Sequence, residues 1–304
     1  MKEALVLFGQ SLGKRQTDKE KIRFINTVAK PLLADNIKVQ IHRNPIKRVK
    51  SNNLMIGDLE NAQYIFLTPY DTGKRMLVPH TVYRPLDDHY NQTKEKNNLL
   101  IYSGLGILGV AGLFLTYSLF NMSFELRIIA LLLDIMFILL IAFSIMSPSA
   151  PANMNRNSAA CAITAVLAKT HRNNAAFIFT DQSIESHLGI IQVRNWYQSD
   201  ADKKTFVILD SLSDGEQLFV VCRKKDTFAA RLANEINADI ITLSESQIDN
   251  SVLSQFKHCM MIVSGSQIDG HLSVSHSRTN EDYHINTKQV EELEEHLNQF
   301  VEQL

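Results

Sequence analysis

The chain has 304 residues, 45% of them hydrophobic and 21% charged, with a formal net charge of −1. That is globular composition, long enough for one sizeable domain or two small ones. Near-zero net charge argues against a general nucleic-acid binder, which needs a clustered basic surface to neutralise phosphates.

The N-terminal stretch "MKEALVLFGQSLGKRQ" returns to polar chemistry after Leu5–Phe8, too soon for the core of a signal peptide. "GQSLGK" (9–14) lacks the spacing, and the hydroxyl after its lysine, of a phosphate-binding loop. "TDKE" (17–20) has the form of a capping box, and Ile22, Ile25, Val28, Ala29 and Leu32 follow at helical spacing, with a kink expected at Pro31. "KVQIH" and "YIFLT" (64–68) read as strands. "HRNPIKRVK" (42–50) is a basic run, read as a solvated loop with anionic headgroups as the functional alternative.

Leu99 to Phe120 runs without a charge, and Leu126 to Met146 forms a second apolar run after the short turn "NMSFE". At about 1.5 Å per residue each can cross roughly 30 Å of hydrocarbon, so the pair predicts a transmembrane hairpin in contact with the lipid bilayer. Gly104, Gly106, Gly109 and Gly112 offer the first helix a small-residue strip for close packing. Asp134 lies inside the second span, where a carboxylate is costly; it reads either as a functional group or an oligomer contact, or as a side chain that is protonated or bonded to a hydroxyl such as Thr116 or Tyr117 across the hairpin. Lys94 and Lys96 precede the first span and Arg156 follows the second, while the turn holds only Glu125 and Arg127. This bias predicts two spans with both soluble segments cytoplasmic. Cys161, Cys222 and Cys259, scattered and odd in number, read as buried thiols in a reducing compartment.

Beyond the hairpin, "AAFIFT" (175–180), "TFVIL" (205–209), "LFVVC" (218–222), "DIITL" (239–243) and "CMMIV" (259–263) are short apolar runs suited to buried strands. Helical stretches alternate with them: Asn157–Thr170, Asp226–Asn237 with Asp226 as N-cap, and Thr287–Leu304 with Val290, Leu293, Leu297, Phe300 and Leu304 on one face. The pattern predicts an α/β fold: a three-layer domain with a largely parallel central sheet. Residues 1–97 and 148–304 form its two parts, and the hairpin segment 98–147 is inserted between them.

Sites in open α/β sheets gather at the carboxyl ends of strands. There the chain reads "NNLMIGDLENAQYIFLTPYDTG", "NMNRNSAACAITAVLA", "FIFTDQSIESHLG", "TFVILDSLSDG" and "HSRTNEDYHIN". In this order the segments resemble those of the di-zinc exopeptidases of the aminopeptidase Y and glutaminyl-cyclase type, over most of the soluble chain. The resemblance implies a zinc-exopeptidase-like fold. It also implies a site in which two zinc ions, one Asp bridging them, generate hydroxide, and a Glu serves as general base.

Carried over residue by residue, the resemblance implies a degenerate member. The first His ligand falls on Pro69, the bridging Asp on Arg156, and the general base and next ligand on Ser183 and Ile184. Asp210 and His276 match ligands, and Asp71 matches the Asp that orients the missing His. Glu185 and His187, with His80, are the nearby substitutes for a single weak zinc site. Arg156 predicts instead an ion pair with Asp210 or Asp71 in the vacated space. The serine and histidine of "GSQIDGHLSVSHS" are close in sequence, which is not triad geometry.

The expectation is therefore a membrane-anchored, aminopeptidase-like protein without its di-zinc site and without a cofactor, acting by binding a peptide or protein partner. Two alternatives stand beside it. One is a divergent zinc aminopeptidase working on peptides at the membrane, and the other is an assembly scaffold acting through the hairpin.

Overall fold

The computed structural model describes residues 1–43, 51–78, 81–117, 119 and 123–304. Most of the basic run and His80 lie outside them. The strands are β1 (Val39–Arg43), β2 (Asn52–Ile56), β3 (Tyr64–Pro69), β4 (Ala176–Thr180), β5 (Thr205–Leu209), β6 (Gln217–Cys222), β7 (Asp239–Thr242), β8 (Cys259–Ile268) and β9 (His271–Ser273). The α-helices are α1 (Lys2–Val6), α2 (Asp18–Ala34), α3 (Asp88–Tyr117), α4 (Phe124–Met146), α5 (Ala159–Thr170), α6 (Leu188–Tyr197), α7 (Thr227–Glu235), α8 (Glu245–Asp249) and α9 (Thr287–Glu302).

The described strands join one sheet in the order β1-β2-β4-β3-β5-β8-β6-β7, with β9 on β8. The centre, β4-β3-β5-β8, is parallel, as is β6-β7, while β1-β2, β2-β4 and β6-β8 are antiparallel. Strands on both sides of the hairpin thus share one sheet, since β3 lies between β4 and β5. Alternation along each strand builds two cores. Phe66, Phe177 and Phe179 meet α2, α5, α7 and α9 on one face, whereas Ile65, Leu67 and Ile178 meet α6 and α8 on the other. Each such side chain contributes about 1.5–3 kcal/mol when buried, so these two faces hold the fold.

Local signals place most elements. Thr17 and Glu20 form the expected capping box of α2, which continues through Pro31 to Ala34. Ile22 is 52% exposed and does not join the buried face of Ile25, Val28, Ala29 and Leu32. Asp226 caps α7, accepting from the Ala229 amide at 2.8 Å. β2 carries only a short apolar run, Leu54–Ile56, because it opens on Asn52 and Asn53. Buried Asn53 is satisfied by donating to the Gly189 carbonyl at 2.8 Å and accepting from the Asp181 amide at 2.9 Å. The helix expected from Asn157 begins at Ala159, because residues Met154–Ser158 form a wider π turn.

α3 and α4 pack against each other as a hairpin, and both are long and apolar enough to cross a membrane. Only 22% and 6% of their most apolar windows are buried, unlike core helices of a soluble domain. α3 starts at Asp88, well before the apolar run at Leu99. Gly106, Gly109 and Gly112 face α4: a Cβ on Gly109 would lie 2.7 Å from Ile141 Cγ1 and 3.0 Å from the Phe137 carbonyl oxygen. Gly104 is not part of that strip, with nothing within 4 Å of its Cβ direction. The Thr116 hydroxyl donates to Asp134 across the hairpin, which satisfies that carboxylate.

Candidate functional site

Because β4, β3 and β5 are parallel neighbours, their carboxyl ends bring Asp181, Asp71 and Asp210 to one edge of the sheet. The π turn Met154–Ser158 lies across that edge and is pinned from several sides. The amides of Asn155 and Arg156 donate to Asp282 Oδ1 at 2.8 and 3.4 Å. Asn155 Oδ1 accepts from the amides of Ser213 and Asp214 at 3.2 and 3.0 Å. Asn157 donates to the Asp71 carbonyl and accepts from Arg15, a fully buried guanidinium that also donates to the carbonyls of Phe8, Leu12 and Tyr70. The strand ends and the N-terminal segment therefore fix where Arg156 sits.

Arg156 pairs with Asp210 and not with Asp71. Its Nη1 lies 3.0 Å from Asp210 Oδ2 and 3.2 Å from Oδ1, and both side chains are 4% exposed. Its guanidinium carbon is 3.3 Å from the centre of the Tyr83 ring, whose hydroxyl donates to Asp210 Oδ2 at 3.0 Å. The Ser211 hydroxyl donates to Oδ1 at 3.0 Å. Burial works against the charge on Arg156, but Asp210 and then Tyr83 outweigh it, so its pKa lies above the ordinary arginine value. Burial pushes the Tyr83 phenol up. Both Asp210 oxygens already accept two bonds each, which leaves them no free lone pair for a metal.

Among the described residues, the other positions singled out in the sequence are engaged as follows. Pro69 ends β3, and its carbonyl accepts from Cys161 Sγ at 3.6 Å. Asp71 accepts from the amides of Ser183 and Ile184 at 2.9 and 3.4 Å. Glu185 takes the Lys74 amide at 3.0 Å, and His187 Nε2 lies 3.0 Å from Asp88. His276 points elsewhere: it is 43% exposed and pairs through Nδ1 with Glu281 at 2.7 Å. Among the described residues no three His, Cys, Asp or Glu side chains gather in a way that could hold a metal ion. A di-zinc pair does not fit this donor set, in which a guanidinium stands beside the aspartate of the site.

Several partners were not legible beforehand. Tyr83 from the loop before α3, Asp88 and Glu95 from the polar start of α3, and Arg278 from the last loop close over Arg156 and line the cavity there with Glu185 and His187. That cavity has a volume of about 70 Å³. It has room for about two waters, against roughly 300–1,000 Å³ for ordinary ligand sites.

Two buried carboxyls support the site. Burial raises Asp71 to about 6, with Lys21 opposing and Asp181 assisting. Burial raises Asp282 to about 7, against the amides of Arg278, Asn155 and Arg156. A folded-state pKa above the ordinary 3.8 means that the native chain holds the proton more tightly. The stability contributed at Asp282 is then full below 3.8 and declines as pH rises to about 7. Asp282→Asn is expected to cost most at acidic pH and progressively less towards neutrality. Unfolding curves of both proteins across that window test this, and a difference independent of pH would refute it.

No family model matches the chain, and no curated protein matches it in sequence. Solved structures do match in fold. The LapA aminopeptidase of Legionella pneumophila superposes with a TM-score of 0.59 at 10% identity, covering 99% of this chain and 69% of that one. Glutaminyl cyclase from Fimbriiglobus ruber gives 0.53 at 13% identity, over 98% of this chain and 91% of that one. The enzyme from an Acidobacteriales bacterium gives 0.52 at 11%, over 99% and 92%. The chain has the aminopeptidase and glutaminyl-cyclase fold, and at such identities the likeness is one of fold.

Proposed function

We propose that this chain is a membrane-anchored pseudo-peptidase: an aminopeptidase-type domain that has lost its di-zinc site and works by binding a protein partner. The observation that carries this reading is the buried Arg156–Asp210 pair capped by Tyr83. It puts a permanent positive charge where metal ions would have to sit, and it consumes the carboxylate that would hold them. The small volume of the cavity over Arg156 leaves no room for a peptide beside the Arg156–Asp210 pair, which favours a partner bound elsewhere on the domain. The exposed apolar faces of α3 and α4 support anchoring in the bilayer, and the flanking charges favour both soluble segments on the cytoplasmic side.

Metal content tests the proposal. Detergent-purified protein, folded and monodisperse, is expected to carry no stoichiometric zinc by elemental analysis, and adding Asp210→Ala and His276→Ala together should change nothing in that measurement. Near-stoichiometric zinc that disappears in the double variant would overturn the reading in favour of a divergent zinc aminopeptidase.

A further inference from the structure

Arg75 stands where the two apolar helices meet the soluble domain. Its carbonyl accepts from Asn98 Nδ2 at 3.0 Å and from the Tyr102 hydroxyl at 3.2 Å, and its amide donates to the Pro148 carbonyl at 2.9 Å. Asn98 immediately precedes the apolar run of α3, and Pro148 follows the left-handed cap of α4 at Ser147. The Leu77 amide also donates to Asn98, at 3.0 Å. In a chain anchored by this hairpin, that level is the boundary between headgroups and hydrocarbon, where tyrosines such as Tyr102 concentrate.

Among the described residues Arg75 forms no ion pair, in contrast to Arg156 and Arg278. Its Nε is buried and has no hydrogen-bond partner. Buried donors with no protein partner are uncommon in folded proteins and are satisfied by an ordered water or a bound anion. Beside it opens a pocket of about 380 Å³, lined by Arg75, Met76, Leu77, Val78, Val82 and Thr279 among others. The acid on its rim, Glu281, is engaged by His276. A guanidinium without a counter-charge next to an apolar wall, at the depth of the headgroups, matches one end of a phospholipid. The planar fork fits a phosphate diester, and the apolar wall fits the glycerol and first methylenes.

We infer that this pocket binds the headgroup of an anionic phospholipid, with its phosphodiester held by the Arg75 guanidinium. The inference rests on the membrane-anchored reading above. It makes the domain's seating on the bilayer depend on lipid charge and not on hairpin insertion alone.

Native mass spectrometry of the full chain in detergent, titrated with phosphatidylglycerol or phosphatidylcholine, tests it. Phosphatidylglycerol is expected to bind in preference, because the choline cation of phosphatidylcholine offsets the charge of its phosphodiester, and Arg75→Ala should weaken phosphatidylglycerol binding about tenfold and reduce that preference. Arg75→Lys keeps the charge without the fork and should fall between; it decides the matter if the alanine variant fails to fold. Lys96→Ala removes the same charge from an exposed turn of α3 and should change binding less than about twofold. Equal losses in the Arg75 and Lys96 variants, or no preference for the anionic lipid, would overturn the inference in favour of diffuse charge attraction. Displacement of phosphatidylglycerol by inorganic phosphate at comparable concentration would overturn it in favour of a free-phosphate site. Alkaline carbonate extraction of membranes separates the two levels: release of the chain defeats the anchoring itself. A carbonate-resistant chain whose lipid binding ignores Arg75 defeats only the lipid site.

Discussion

Arg156→Ala is expected to destabilise the domain by about 3–5 kcal/mol, because it leaves the Asp210 carboxylate buried with no counter-charge. The remaining donors, Tyr83 and Ser211, are neutral hydroxyls and cannot replace a guanidinium 3.0 Å away. The stacking of Arg156 on the Tyr83 ring is lost as well, a desolvated contact worth up to about 2 kcal/mol. Replacing both partners, as in Arg156→Met with Asp210→Leu, should recover most of the loss, since apolar side chains of similar size are tolerated where a lone charge is not. Thermal unfolding in chelator and again with added zinc distinguishes this structural role from a catalytic one. Residues kept for chemistry are commonly neutral or costly to stability, so their removal stabilises a metal-free enzyme or leaves it unchanged. An Arg156→Ala protein as stable as the parent in chelator, or a parent stabilised by zinc through Asp210, would sink the account of Asp210 as half of a structural ion pair.

The parts of this structure that were legible in the sequence are those set by local chemistry. The capping box at Thr17, the cap at Asp226 and the apolar runs of β3 to β8 need only neighbours in the chain to declare themselves. So do the two apolar helices, whose length and composition are properties of a single segment. The parts that were not legible are set by contacts distant in sequence. Residues Asp88–Asn98 are polar and show no apolar period, so nothing marked them as the first turns of α3. They are helical because Asp88, Glu95 and Asn98 each find a partner in the domain: His187, Arg278 and the backbone of Arg75 and Leu77. The choice of Asp210 over Asp71 for Arg156 follows from the π turn, whose geometry is fixed by Asp282 and by the Ser213 and Asp214 amides that hold Asn155, all distant from it in sequence. His276 holds a motif position, but its left-handed backbone, with φ of 59°, and its bond to Glu281 leave it on the surface.

Arg278→Ala is expected to free the polar turns of α3 from the domain. The Arg278 side chain is 6% exposed and joins three segments. It donates to the Lys74 carbonyl from Nε at 2.8 Å and from Nη2, pairs with Glu95 through Nη1, and reaches Glu185 at 3.5 Å. Because the Glu95 side chain is 25% exposed, its loss should cost about 2–3 kcal/mol, less than breaking a fully buried pair. Amide hydrogen exchange should accelerate over residues 88–98 while the sheet and the apolar part of α3 keep their protection. Gly73→Ala should act in the same direction, since a Cβ there would lie 2.6 Å from Arg278 Cζ. Unchanged exchange in both variants would mean that the contacts with His187, Asn250 and the backbone of Arg75 and Leu77 hold this segment without Arg278. Accelerated exchange would show that the Arg278 clamp holds the polar start of α3 over the Tyr83–Arg156–Asp210 cluster; under the membrane-anchored reading proposed above, tilting the hairpin must then either pull on that cluster or break the clamp first.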